Sequence, residues 1–443
     1  MAHPTRRSIT MSTSVSVAGS IPAYNRRQRV TIVALAFSCT VLDGADFTVF
    51  LYFMAPLAAH LHVSLVELSS IQASSYLIGI VGGIVFGRFA DRRGRRAGLF
   101  VTVLLFSIFT SVTAVVNSYE MLFLVRVLAG IGIGGESGIA FAYVNEAFPG
   151  KEQRRGLASG LLQSMFLAGA LLAAWIYRGT AGLGEDAWRW AFGTLGAIGL
   201  ICAVATLFMP ESQLWRERMQ MRPTAGAMGA KPVSMRQLLS GPLGKRMLIA
   251  SALLSASFYG SYAVYTYGPA MWQSVYHLNA RQVGNIGIVS SVLGAISYIT
   301  GGFLADAIGR RRAYLVTTAL GVLAYVVFGA ALYVTSGDMV APRTFWIMLS
   351  AYFLLHMGYG YFGVQGVWLS ELFPTEVRTT AQNAVYYIGR AIGAGGAPIL
   401  GLLIARGLGW SVAEAVAFGA VGAIAAAMLC RLLPETRGQE LQN

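Results

Sequence analysis

Charge is what this 443-residue chain has least of: Asp, Glu, Lys and Arg together make 12% of it, about half the share of an average soluble protein. Carboxylates are scarcer than cations, 19 against 33, for a formal net charge of +14. Cysteine is nearly absent, and Cys39, Cys202 and Cys430 fall far apart with no metal or redox spacing, which reads as packing. No nucleophile–base set or metal cluster stands out, so an enzyme is the least favoured class. No cofactor or metal is expected. The alternating charged and apolar faces of a large soluble enzyme are missing too.

What the chain has instead is apolar length. It is 56% hydrophobic, and runs of about 20 residues recur, each enough to cross a hydrocarbon layer of about 30 Å. Twelve spans are predicted, over 30–58, 68–89, 97–116, 119–145, 156–177, 188–210, 247–272, 282–304, 313–334, 344–370, 379–404 and 411–433. The stretch 1–29 is polar, lacks the apolar core and cleavage site of a signal peptide, and reads as a cytoplasmic tail. Residues 434–443 form a second tail. The basic charge follows topology. With both termini inside, 26 of the 33 Lys and Arg lie in inner segments, 5 in outer loops and 2 within spans, the bias that orients membrane proteins. The excess charge therefore signals orientation in a plasma (inner) membrane and contact with anionic lipid, not a nucleic-acid partner.

The loop 211–246 is the longest and least hydrophobic connection, and it divides the chain into six-span bundles at 30–210 and 247–433. The two halves echo one another. "GRFADRRGRR" (87–96) after span 2 and "GFLADAIGRR" (302–311) after span 8 both read G-x-x-x-D-x-x-G-R-R. "NEAFPGKEQRR" after span 4 is echoed by "SELFPTEVR" after span 10. Internal repeats of this kind build secondary transporters, with the binding site between the halves near the midplane. The repeated loops supply a candidate cytoplasmic gate: Gly87, Asp91, Arg95, Glu146 and Arg155 in the first half, and Asp306, Arg310, Glu371 and Arg378 in the second. The glycines permit tight turns, and the aspartates can accept bonds from helix N-termini or arginines. "GIGIGG" (130–135) matches a nucleotide-loop pattern, but it lies inside a span with no preceding strand. Its glycines serve close helix packing.

A charged group inside a membrane is costly and is a functional hypothesis by default. Away from the span ends, the ionisable residues singled out are Asp43 and Asp46 in span 1, Arg126 and Glu136 in span 4, His356 in span 10 and Arg390 in span 11. Asp43 and Asp46 are central in span 1 and share a helix face. At about 1.5 Å per residue, Arg126 lies roughly 9 Å outward of the middle of span 4 and Glu136 roughly 6 Å inward. Depth therefore matches Asp46 to Arg126 and Asp43 to Glu136. An arginine holds one carboxylate ionised, while two like charges at one level favour holding a proton. These four residues are the candidate proton-coupling set; a static salt bridge that only fixes packing is the alternative for Asp46–Arg126. Arg390, with Asn383 and Tyr386 on its helix face, suits an anionic substrate. Pairing with the other half as a gate is its alternative. Tyr259, Tyr361, Gln365 and Gln163 could complete the pocket. His356 is as readily a structural residue as a ligand.

With its D-R-x-G-R-R loop, the chain after residue 29 resembles the major facilitator superfamily. That implies an all-α membrane protein of twelve helices in two pseudo-symmetric halves. "LDGADF" resembles the D-G-x-D of sialate:proton and aromatic-acid:proton symporters. "RVLAGIGIGGES", "VNEAFPGKEQRRGLASG" and "YYIGR" are similar to the sialate and related metabolite branch. Ala45 and Ser137 replace residues that are commonly aromatic there. The resemblance implies a monomeric importer of a small organic anion, such as a sialic acid-like sugar acid or another carboxylate, coupled to protons. A proton-driven drug or metabolite exporter is the rival transport reading, disfavoured by a cation at mid-membrane. A sensor that binds without turnover is the rival from another class.

Overall fold

The computed structural model describes residues 24–147, 155–180, 182–213, 215–216, 240–335, 341–373, 378–409 and 411–438. Every regular element within them is helical. Among the described residues, eleven helical stretches, two of them interrupted (Pro342–Leu372 and Val412–Leu432), are long and apolar enough to cross a membrane. The first half comprises α1 (Arg26–Tyr52), α2 (Met54–Leu61), α3 (Leu65–Arg93), α4 (Arg95–Thr113), α5 (Tyr119–Ala147), α6 (Arg155–Thr180) and α7 (Ala187–Thr206). The second comprises α8 (Gly241–Ser274), α9 (Ala280–Ile308), α10 (Arg310–Thr335), α11 (Pro342–Met357), α12 (Tyr361–Leu372), α13 (Arg378–Gly389), α14 (Gly396–Leu408), α15 (Val412–Ala417) and α16 (Ala420–Leu429).

Four expected spans depart from a continuous α-helix: spans 1, 10 and 11, and span 12 at Phe418–Gly419 between α15 and α16. Span 1 breaks at Phe53, because Pro56 in the first turn of α2 has no N–H to offer the carbonyl of Tyr52. Span 10 breaks at Gly358–Tyr359–Gly360, between α11 and α12. Span 11 is continuous but uneven. Between α13 and α14 the six residues Arg390–Gly395 wind as a π turn, just before Pro398, which cannot donate to the carbonyl of residue 394. Such a π turn widens the helix at one level and is frequent at functional sites. It begins at Arg390.

Within the first half, α1 packs on α6 and α5, and α4 packs on α5 and α7. The halves meet chiefly along α6 and α9, with α3 against α13 and the π turn, and α12 against α6. Small residues make these seams. Gly130 and Gly134, from the G-x-G-x-x-G look-alike, leave no room for a side chain against the backbones of Ser75 and Gly79. They bring α5 onto α3, as expected of glycines inside a span.

Candidate functional site

Two ion pairs lie one helical turn apart on α1, and both are sealed from solvent. Asp43 is 5% exposed, Asp46 1%, Arg126 1%, Arg390 0% and Glu136 3%. Asp46 takes a bidentate pair from Arg126, with Nη1 at 2.8 Å and Nη2 at 2.5 Å. Thr110 Oγ1 of α4 donates to the same carboxylate at 2.9 Å. This cluster ties three helices of the first half together, and the Arg126 guanidinium rests near the rings of Phe50 and Phe192. The expected partnership of Asp46 and Arg126 is thus the geometry observed.

The second pair crosses between the halves. Arg390 Nη1 donates to Asp43 Oδ2 at 2.9 Å and Nη2 to Oδ1 at 3.1 Å. The guanidinium lies near two rings of the first half, 4.5 Å from the centroid of Tyr76 and 5.3 Å from that of Phe166. Nearby, Phe47 packs on Tyr262 of α8 at 4.7 Å. This corrects the expectation that Arg390 stands open to an anion; Asp43, matched in depth to Glu136, stays near it but pairs with Arg390. The alternative, a cross-half pair, is what this conformation contains. Depth arguments place residues by level but not by direction around the helix, and the π turn redirects the chain at Arg390.

Glu136 remains within electrostatic reach of Asp43 and Arg390, but its Oε1 has no hydrogen-bond partner. The Nε of Arg390, the hydroxyl of Tyr76 and the Oε1 of Gln72 are also buried without partners. Orphaned polar atoms carry a desolvation cost, so a cluster of them at mid-membrane is a place where a proton, a water or a ligand atom belongs.

Beside this pair, Gln163, Gln365, Asn383 and Tyr386 line one small cavity together with Ser137 and Tyr387. Four of the expected pocket residues therefore converge. Tyr361 and Tyr259 do not join them. Tyr361 donates to the carbonyl of Ser257 at 3.2 Å inside the second half, and Tyr259 turns its ring toward Phe418. Both are packing residues there. His356 is buried among Tyr265, Tyr352 and Tyr359, with Nδ1 3.1 Å from the Tyr352 carbonyl. Those contacts suit the structural reading.

At the basic end, Asp306 accepts the backbone N–H groups of Gly156 (2.9 Å) and Leu157 (3.0 Å), the first turn of α6 in the other half. Arg310 forks onto Glu371 at 3.0 and 2.9 Å and reaches Asp306 at 3.3 Å. Arg95 is buried and its backbone N–H donates to Glu211 at 2.8 Å. Arg155 opens α6 and is half-buried. A side chain at Gly87 would meet nothing. The side chains of Asp91, Glu146 and Arg378 lie outside the described residues.

Sequence reasoning missed two acids at this end. Glu211 accepts the backbone N–H groups of Arg95 and Arg96, and Glu435 those of Arg310 and Arg311. Each caps the helix that follows a positive-φ glycine, Gly94 or Gly309. The signal was a third repeat, "MPES" (209–212) after span 6 and "LPET" (433–436) after span 12.

Long apolar helices in two halves, with one buried ion pair between them and another inside the first half, fit a multi-pass membrane transporter. Sequence comparison agrees. The model of the Major Facilitator Superfamily matches residues 36–360 and 261–443, and the chain belongs to that family. It is 28% identical over 446 residues to the "Probable 4-methylmuconolactone transporter" of Cupriavidus pinatubonensis, covering 95% of this chain and 94% of the relative. It is 25% identical to the "Cis,cis-muconate transport protein" of Acinetobacter baylyi, covering 90% and 92%. The solved "xylose transporter XylE from E. coli", in a partially occluded inward open conformation, matches with a TM-score of 0.71 at 19% identity, over 94% of this chain and all of that one. That likeness shows the fold.

Proposed function

We propose that the protein is a proton-coupled importer of a small organic carboxylate, working by alternating access as a monomer in the plasma membrane. Its basic end and both termini would face the cytoplasm. The observation that carries this reading is Arg390: a permanent cation, fully buried at the interface of the halves, balanced by a carboxylate of the opposite half. A cation there selects anions and disfavours the cationic or neutral cargo of a drug exporter. The muconate and muconolactone named for its relatives are consistent with an organic-acid substrate.

In this reading the Asp46–Arg126–Thr110 cluster holds α1 rigidly within the first half. Glu136, with an oxygen unpartnered, carries or relays the proton. Substrate occupies the cavity lined by Gln163, Gln365, Asn383 and Tyr386, its anion directed at Arg390. Closing and opening of the halves then breaks and remakes the Asp306 contact with α6.

The test is uptake into proteoliposomes with an inward proton gradient, using cis,cis-muconate and a panel of sugar acids and aromatic acids. Accumulation above equilibrium that collapses with an uncoupler is expected; accumulation indifferent to the uncoupler removes the symport reading. Asp46→Asn should abolish accumulation with protein still in the membrane. Glu136→Gln, which imitates the protonated state permanently, should still exchange substrate across the membrane but fail to concentrate it.

A further inference from the structure

Asp43 sits where a substrate carboxylate would have to bind. Both of its oxygens face the two Nη donors of Arg390, at 2.9 and 3.1 Å, the fork-to-fork arrangement that a free carboxylate makes with a guanidinium. The rings of Tyr76 and Phe166 lie 4.5 and 5.3 Å from that guanidinium, and the Nη pair is the donor edge that the resident carboxylate occupies. Asp43 and an anionic ligand cannot both hold it. Nor can Asp43 simply be pushed aside as an anion, because a buried, unpaired carboxylate is far costlier than a neutral one.

The groups facing Asp43 leave it no second cation. Besides Arg390, they are Glu136 from α5, Tyr76 from α3, Tyr262 from α8, and Tyr386 and Tyr387 from α13. The neighbour on α6 is the ring of Phe166. None of these is positively charged.

We propose that Asp43 is an internal competitor of the substrate, so that binding and protonation are one exchange. The substrate carboxylate takes the Arg390 fork, and the displaced Asp43 takes one proton, directly or through Glu136. The proposal rests on the carboxylate symport reading and specifies its coupling step. Charge balances: Arg390 and Asp43 are neutral together before the exchange, and Arg390 with substrate plus a protonated Asp43 is neutral after it. One proton therefore enters the site for each carboxylate bound there. The empty carrier keeps its own anion on Arg390, which also holds the two halves together until substrate and proton are both present.

The test needs no knowledge of the natural cargo. Thermal unfolding of the detergent-solubilised protein is measured against rising acetate, with chloride at matched ionic strength as the control, at pH 6 to 8. In Asp43→Ala the fork has lost its resident carboxylate, so acetate should stabilise this variant with an apparent Kd about tenfold below that in the unsubstituted protein. The unsubstituted protein should bind acetate more tightly as pH falls, because a protonated Asp43 no longer competes. Asp43→Asn should lose that pH dependence, and it is the variant to use if Asp43→Ala does not fold. The double variant Asp43→Ala, Arg390→Gln should lose the acetate response altogether. An acetate response unchanged by Asp43→Ala and Asp43→Asn, or one that survives in the double variant, overturns the competition. An acetate response as expected alongside absent proton-driven uptake supports the competition and removes the symport reading instead.

Discussion

Gly44 separates Asp43 from Asp46, and it does so against the backbone of Phe166, where the position of a Cβ is already taken by the carbonyl. The glycine lets α6 approach α1 at the level of both ion pairs. Gly44→Ala should force those backbones apart and cost about 2 kcal/mol or more, as overpacking does. A lowered unfolding midpoint together with lost transport would show it; a midpoint unchanged from the parent would mean that α6 yields freely. Arg390 gives a second expectation at this scale. Lys at 390 keeps the charge but not the fork, so Arg390→Lys should weaken carboxylate binding roughly tenfold or more while retaining some of it. Near-native affinity in that variant would mean that the planar donor pair has no part in recognition. The levels of these residues were legible in the sequence, since rise per residue gives depth along a span. Their partners were legible where both charges lie in the same half, as with Asp46 and Arg126. The one cation near the level of Asp43, Arg390, lies in the other half, and whether it faces α1 depends on direction around the helix, which no single sequence gives.

At the scale of the element, the spans themselves could be read because hydrophobic length is a property of each segment alone. The closures between them could not, because a closure is a meeting of residues distant in sequence. At the end opposite the basic loops, Tyr52 stacks on Tyr177 with ring centroids 4.8 Å apart and an angle of 10° between planes. Gln273 Nε2 of α8 donates to the Tyr177 hydroxyl at 3.0 Å across the halves, and Gly287 of α9 receives the Tyr52 hydroxyl. Nothing in the two tyrosine contexts marks them as a pair. With few polar contacts, this closure should loosen when its hydrogen bond is removed. Tyr177→Phe keeps the stack and deletes the hydroxyl, so a reporter cysteine at Ser291, buried one turn beyond Gly287 on α9, should react faster with an impermeant maleimide from that side. Labelling at an unchanged rate would place the barrier elsewhere on the α6–α9 seam.

Over the whole molecule the internal repeat extends further than the loop motifs indicate. Glu211 and Glu435 end the two halves, and each folds back to cap the first turn of the helix that follows the G-x-x-x-D-x-x-G-R-R loop. In the second half the cap is part of a wider set: Thr436 donates to Glu371 at 2.6 Å, and Glu371 holds Arg310, which reaches Asp306. Burial pushes the Glu435 carboxyl up, but backbone N–H donors from Arg437, Arg310, Thr436 and Arg311 outweigh it and hold it below the ordinary carboxylate range. A depressed carboxyl contributes stability that is complete above its unfolded value of 4.5 and is lost as pH falls through its folded value. The last span should therefore loosen from α10 only in acid, and at neutral pH Glu435→Gln should imitate that state. The expected outcome is faster amide exchange at the start of α10 and around 433–437, with Asp46–Arg126 and the first half untouched. Glu211→Gln should produce the mirror result at the start of α4. If either substitution instead speeds exchange equally in both halves, the caps act on the interface between the halves and not within each of them.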